Sequence, residues 1–330
     1  MLGLVYYNRI MLNWLVVGIG DISTKRVIPA IVSEARSVLH ALVTRDAAKA
    51  AAYPGVLVYA TLPEALTDRK IDAVYVALPV AMHSPTTLAA LRAGKHVLCE
   101  KPTAMNYAEA REMVDFANEV GLRFGVAYYR RMYPKLRRAA QLLAKGVIGR
   151  PVLAEANCHS WTDHATGPRS WFTNRALAGG GPLYDIASHR IDAFNFLFGN
   201  PVRACGQISN VVHNRSVEDA ATVMIEYEQG LRTIVDVRWH TRQERDDFRI
   251  IGTDGEMVLS PLNGPDLISP LGAEVLPAAA NLHYPCLENF VSAVLDGAPL
   301  ASSGASAIVT DWVTEQIVGA NSVGKFRYHR

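Results

Sequence analysis

Six short apolar runs rich in β-formers alternate with segments of helical spacing through the first 130 residues: NWLVVGIG, VLHALVT, VLVYA, IDAVYVALP, HVLCE and RFGVAY. Strands separated by helices are the pattern of crossover connections, so this stretch predicts a doubly wound parallel sheet. The helical segments carry their own signals. In SPTTLAALRAG, Ser84 suits an N-cap, Pro85 a first helical position and Gly94 a C-terminal stop. Pro29 in TKRVIPAIVSEA predicts either a first turn or a kink.

The pattern changes near Pro151. A bridging helix, YPKLRRAAQLLAKGVIG, leads into longer strand-like runs, several joined directly by turns at Gln229-Gly230 and Asp254-Gly255. Direct turns imply a mostly antiparallel sheet. Two helical stretches close the chain. The expected fold class is α/β plus α+β: a doubly wound parallel sheet, then a large mostly antiparallel sheet with flanking helices.

A chain of 330 residues, 50% of them hydrophobic, fills one large domain or two ordinary ones. The formal net charge of +2 gives no sign of nucleic-acid or charged-membrane binding. Cys99, Cys158, Cys205 and Cys286 are too scattered for a metal pair and read as reduced thiols of a cytoplasmic protein. The apolar start is interrupted by Asn8 and Arg9 and lacks a small-residue cleavage site. It therefore reads as neither signal peptide nor membrane span, and residues 1–10 as a loose extension.

GIGDIS, residues 18–23, ends the first strand and opens the first helix. There Gly18 permits a tight turn and Gly20 a close approach to a pyrophosphate, while the helix start at Asp21 and Ile22 offers amides and a positive dipole end. Ser23 stands where the usual fingerprint has its third glycine, and a plain glycine turn also fits an isolated G-x-G. At the end of the second strand, Thr44 and Arg45 occupy the place of an acid that would bind ribose hydroxyls. An arginine beside a small hydroxyl suits a 2′-phosphate, so the expected cofactor is NADP, with NAD possible. Arg45 and Asp46 also read as solvated first-turn residues.

The fifth strand ends in Glu100-Lys101-Pro102, at the edge where such sheets bind ligands. A lysine there can bond a substrate hydroxyl or help move its proton, although a lone E-K-P also fits a solvated pair. A second cluster, AGGGPLYDIASHRIDAFNFLFG, covers residues 178–199. Three glycines and Pro182 precede a helix on which Asp185 and His189 are four residues apart, with Asp192 three further on. A carboxylate on the same face can orient an imidazole and tune it for acid–base work, although an isolated D-x-x-x-H also fits a structural helix pair.

Together, the G-x-G turn, AGKHVLCEKPTA and GGGPLYDIASHRID, in that order, resemble the Gfo/Idh/MocA oxidoreductases. The resemblance runs from about residue 12 to about residue 320. It implies an NAD(P)-binding Rossmann domain over residues 1–130. A substrate-binding and oligomerisation domain would follow over 131–330, its final helices packing back on the first. Lys101 matches the family's catalytic lysine, His189 its acid–base histidine, and Asp185 the acid that positions substrate or histidine. Glu100 and Pro102 would shape the nicotinamide pocket, and Leu78, Pro79 and His83 the cofactor loop. Leu78 and Val80 depart from the small polar residues common there, and Ala187 from a frequent glycine.

For the substrate, Tyr128 and Arg130 after the sixth strand are candidates, one of Tyr128 and Tyr129 facing the core by alternation. Trp161, Arg169 and Trp171, with His164, suit a lid over a sugar or polyol, and the same loop equally fits a dimer interface or plain surface. His159 and His164 lack a third ligand, so no metal is expected. The implied activity is hydride transfer between NADP or NAD and a sugar, cyclitol or diol. An NAD-dependent glycoside hydrolase or a non-catalytic sensor on the same fold are the alternatives. One uncovered sheet face predicts a homodimer or homotetramer.

Overall fold

β1 (Leu12–Val17), β2 (Ser37–Val43), β3 (Leu57–Tyr59), β4 (Ala73–Val76), β5 (His96–Cys99) and β6 (Phe124–Val126) form one parallel sheet in the order β3-β2-β1-β4-β5-β6. The structure, a computed structural model, describes residues 11–167 and 169–320. The expected extension, residues 1–10, lies outside the described residues. Period-two alternation divides the strand side chains between two cores. Leu15, Val17, Val74, Val76 and Val97 pack on one face, Trp14, Val16, Tyr75 and Leu98 on the other. Both faces are covered, which is why the strands read as continuous apolar runs.

The crossovers are α1 (Ile28–Ser33), α2 (Ala47–Ala50), α3 (Leu62–Leu66), α4 (His83–Arg92) and α5 (Tyr107–Glu119). A π-helical turn, Ser23–Val27, leads into α1, and Pro29 sits in the first turn of α1. α4 starts at His83, one residue before the expected cap, and Ser84 is buried inside it.

α6 (Pro134–Ala144) leads to the second sheet: β7 (Pro151–Trp161), β8 (Pro201–Ser209), β9 (Ala220–Tyr227), β10 (Arg232–Arg238), β11 (His240–Gly252), β12 (Glu256–Val258), β13 (Asp266–Ser269) and β14 (Gly272–Val275). Their order is β14-β13-β12-β11-β7-β10-β9-β8. β7 and β10 run parallel, and the other pairs are antiparallel. The short α7 (Arg175–Ala178) and a π-helical turn, Leu183–Ala187, lead to α8 (Ser188–Phe198). α8 lays Ile191 and Phe194 against Ala156, Val223, Val235 and Phe248 of this sheet.

The chain then returns to the first sheet. α9 (Tyr284–Leu295) packs Phe290 on Trp14, ring centroids 5.4 Å apart. α10 (Gly304–Ala320) gives Ala307 and Ile308 to the first sheet's core and Val313 and Ile317 to the second's.

Candidate active site

The two sheets meet at the C-terminal ends of β1, β4 and β5, around a cavity of about 590 Å³. The glycine turn closes one end. Gly18 has φ +96°, and a Cβ there would lie 2.3 Å from the Ala77 carbonyl oxygen. A Cβ on Gly20 would meet nothing within 4 Å, although Gly20 lines the cavity. Its bare backbone therefore leaves a cradle against the first amides of the following helical turn, which suits a dinucleotide pyrophosphate. The Ser23 hydroxyl donates to the Gly18 carbonyl at 2.5 Å, so the residue replacing the third glycine ties the turn together. Asp21 and Ile22 line the same end, and Asp21 lies 3.6 Å from the Arg169 guanidinium.

Leu78 and Pro79 line the cavity. His83 does not, contrary to expectation. It is buried behind the loop, with Nδ1 2.9 Å from the Pro102 carbonyl and Nε2 2.8 Å from that of Leu78. His83 thus positions the two loops that do line the site, and burial lowers its pKa. Thr44 and Arg45 also lie outside the lining. Arg45 is exposed beyond β2, while the Thr44 hydroxyl accepts from the Asp46 amide at 3.1 Å. Lys49, not singled out in the sequence, lines the cavity instead.

Glu100, the residue after β5, is buried. Its Oε1 accepts from the Tyr75 hydroxyl at 2.8 Å and lies 3.2 Å from His283 Nε2. Burial works to raise its pKa, but His283 and Tyr75 outweigh that and hold it below the usual value. The Lys101 ammonium turns the other way, across to the second unit. It donates to Asp185 Oδ1 at 2.7 Å and to the Asp185 carbonyl at 2.9 Å. Burial pushes the Asp185 pKa up, and the Lys101 charge and hydrogen bond bring it below normal. The Lys101–Pro102 peptide is cis.

His189 lines the cavity, 6% exposed, and its Nδ1 has no hydrogen-bond partner among the described residues. Burial first, then the charges of Arg130, Lys101 and Arg190, push its pKa well below the imidazole range. The expected Asp185–His189 pairing is not formed. Asp185 sits in the π-helical turn and its carboxylate is taken by Lys101. Asp192 is also absent from the site, being paired with Arg131 at 2.5 Å in the core.

Two substrate candidates do not line the cavity. Tyr128 is fully buried, and its neighbour Tyr129 faces the cavity, because β6 ends at Val126 and the chain enters a tight turn. Trp161 stands outside, partly exposed, with Arg242 over its ring and His213 at its edge. Arg130, Arg169 and Trp171 do line the cavity. So do His283, Tyr184 and Arg190, which sequence reasoning missed. His283 and Tyr129 pack at 4.4 Å between centroids. Tyr184 explains two of the three glycines, since a Cβ on Gly179 or Gly180 would lie 2.4 Å from its ring. His159 bonds Asp236 and His164 packs on Phe172 and Trp239. Among the described residues no group of three or more His, Cys, Asp or Glu could hold a metal ion, and no helix is long and apolar enough to cross a membrane.

Residues 12–128 match the oxidoreductase family with an NAD-binding Rossmann fold, and residues 136–258 match a Gfo/Idh/MocA C-terminal domain. Over 298 residues the chain is 32% identical to the 1,5-anhydro-D-fructose reductase of Ensifer adhaerens, covering 86% of this chain and 88% of that one. It is 29% identical to the D-xylose 1-dehydrogenase (NADP(+)) 2 of Haloferax volcanii, over 74% of this chain and 75% of the relative. The fold superposes on the aldose-aldose oxidoreductase of Caulobacter crescentus, crystallised with glycerol, with a TM-score of 0.85 at 25% identity, covering 94% and 98% of the two chains. The chain belongs to the Gfo/Idh/MocA family of NAD(P)-dependent oxidoreductases, dehydrogenases and reductases that act on CH–OH groups.

Proposed function

We propose that the protein transfers a hydride between NADP, with NAD as the lesser alternative, and a hydroxyl or carbonyl carbon of a sugar, cyclitol or related diol. The carrying observation is the Lys101 ammonium, held by Asp185 on the cavity wall that also contains His189. A nicotinamide bound in the cleft would supply the hydride acceptor or donor. In the oxidative direction, neutral His189 takes the hydroxyl proton while the Lys101 ammonium stabilises the developing negative charge on that oxygen. Asp185 positions Lys101, and Glu100, fixed by Tyr75 and His283, shapes the wall beside it. Arg130, Arg169 and Trp171 contact the substrate.

Residues 1–130 hold the cofactor and 131–330 the substrate. Arg45, exposed at the end of β2, and Lys49 supply the positive charge that a 2′-phosphate needs. The open face of the second sheet supports a homodimer or homotetramer. There Thr222, Met224 and Cys205 stay exposed, while the alternate residues Ala221, Val223 and Ile225 are buried. Four free cysteines suit a cytoplasmic enzyme.

A rate screen for nicotinamide reduction tests the reading, with NADP and then NAD against aldoses, cyclitols and dihydrodiols. Turnover that depends on both Lys101 and His189 supports it. Near-wild-type rates in Lys101→Ala and His189→Ala would remove their roles, and an unchanged cofactor preference in Arg45→Asp would remove the NADP assignment.

A further inference from the structure

Beside His189 the cavity wall holds a buried guanidinium that lies over the Tyr129 ring, 5.0 Å from its centroid, and forms no ion pair among the described residues. Arg130 is 7% exposed and lines the cavity. Its Nε and Nη2 donate to Asn263 Oδ1, a neutral amide, at 3.1 and 3.0 Å. Among the described residues no carboxylate pairs with it. Among the described residues its Nη1 has no acceptor, and it is closed off from solvent, so bulk water does not serve as one. Arg190, buried and also lining the cavity, has a carboxylate partner but likewise keeps one unmet buried donor. Its Nη2 donates to Asp246 at 2.9 Å, while its Nε is closed off and unmet. An unpaired buried charge and an unmet buried donor both cost stability. Two such groups on one cavity wall point to an acceptor that arrives with a ligand.

We propose that the substrate is a carboxylated sugar, and that Arg130 and Arg190 receive its carboxylate beside His189. This rests on the sugar-oxidoreductase reading above and narrows its substrate class. Arg130 offers its unmet Nη1 group and Arg190 its unmet Nε–H, and a carboxylate presents two oxygens, one for each guanidinium. Because the unmet atoms are closed off, each guanidinium turns slightly towards the cavity on binding. Arg130 gives up at most its two bonds to a neutral amide in doing so, and Arg190 its bond to Asp246. The incoming anion also offsets the two cations that depress proton affinity at His189, so the histidine becomes a stronger base once that substrate is seated.

The test uses the intact protein with NADP bound. kcat/KM and, by calorimetry, Kd are measured for D-glucuronate against D-glucose, for D-galacturonate against D-galactose, and for D-glucose 6-phosphate. In at least one pair the uronate is expected to win by about tenfold or more in both quantities. Arg130→Gln and Arg190→Gln should each collapse that ratio towards unity. Arg130→Lys, which keeps the charge but loses the fork, should fall between and serves if Arg130→Gln does not fold. If neutral sugars match or beat the uronates, the anion site is overturned while the redox reading stands. Preference for the phosphate ester, a uronate preference indifferent to both arginines, or no binding of any uronate overturns it too. Arginine-dependent uronate binding without turnover supports the anion site and counts against the redox reading instead.

Discussion

The Lys101 ammonium lies 2.7 Å from the Asp185 carboxylate, a contact between residues 84 positions apart that joins the end of β5 to the turn before α8. It makes Lys101 a fixed donor on the cavity wall, and it assigns Asp185 to the lysine. Lys101→Met should lower kcat/KM by about 10²–10⁴-fold, the range for a lost acid–base or hydrogen-bonding partner of the reacting group. Asp185→Asn should cost less, since its amide oxygen and backbone carbonyl still accept from Lys101. Steady-state kinetics, with cofactor titration by fluorescence, would separate these. Loss of cofactor binding in either variant would place the pair in the cofactor site instead.

His189 gives a signed pH prediction. Its pKa in the fold lies well below 6.5, mainly through burial, so it is neutral at and above that pH. Its share of the oxidation rate should therefore stay constant from about pH 8 down to about 6.5 and decline only at lower pH. The stability effect has the same direction. Below about 6.5 the unfolded chain protonates this histidine and the fold does not, so its contribution is present above that pH and lost as pH falls towards the folded pKa. His83, also lowered by burial, acts alike and remains in a His189 variant. Melting temperatures at about pH 7.5 and about pH 5 should therefore differ less in His189→Asn than in the parent protein, but should still differ. An equal acid sensitivity of the two would contradict the neutral assignment.

Arg131 and Asp192 belong to the scaffold. Arg131 is 3% exposed and bonds both Asp192 oxygens, the Ala301 carbonyl, and the hydroxyl and carbonyl of Ser306. It thereby ties α8 to the segment that opens α10. Removing one partner of a buried pair leaves the other charge uncompensated, so Arg131→Ala should lose about 3–5 kcal/mol in chemical denaturation. Any activity loss should follow the folded fraction. A variant that folds with parental stability yet lacks turnover would move Arg131 into the site.

The alternation of strands and helices was readable in the sequence because each face of the first sheet keeps its own period-two set, such as Val74 and Val76 against Ala73 and Tyr75. The glycine turn, Lys101 and His189 were readable as motifs. What escaped depended on contacts distant in sequence or on a break in periodicity. His283 meets Glu100 across 183 positions, with no local signature. The choice between Tyr128 and Tyr129 could not come from strand alternation, since the strand ends two residues earlier. The spacing from Asp185 to His189 assumed an α-helix, where the chain forms a π-helical turn and a distant lysine takes the carboxylate.

The two glycines of the turn separate folding from cofactor binding. Gly18 combines φ +96° with a Cβ position 2.3 Å from the Ala77 carbonyl oxygen, so Gly18→Ala strains the backbone and pushes β1 away from the end of β4. A positive-φ side chain alone costs about 1–3 kcal/mol, and the clash adds to it. Gly20 has no positive φ, and its added Cβ would meet no protein atom within 4 Å. Gly20→Ala should therefore melt within about 1 kcal/mol of the parent, close to the ordinary glycine-to-alanine effect. Its methyl group would nonetheless occupy the space where a pyrophosphate meets the backbone, so the Kd for NADP and for NAD should rise by about tenfold or more. Calorimetry on both variants, with cofactor titration on Gly20→Ala, checks the separation. Parental cofactor affinity in Gly20→Ala would mean that the dinucleotide does not approach the turn at Gly20.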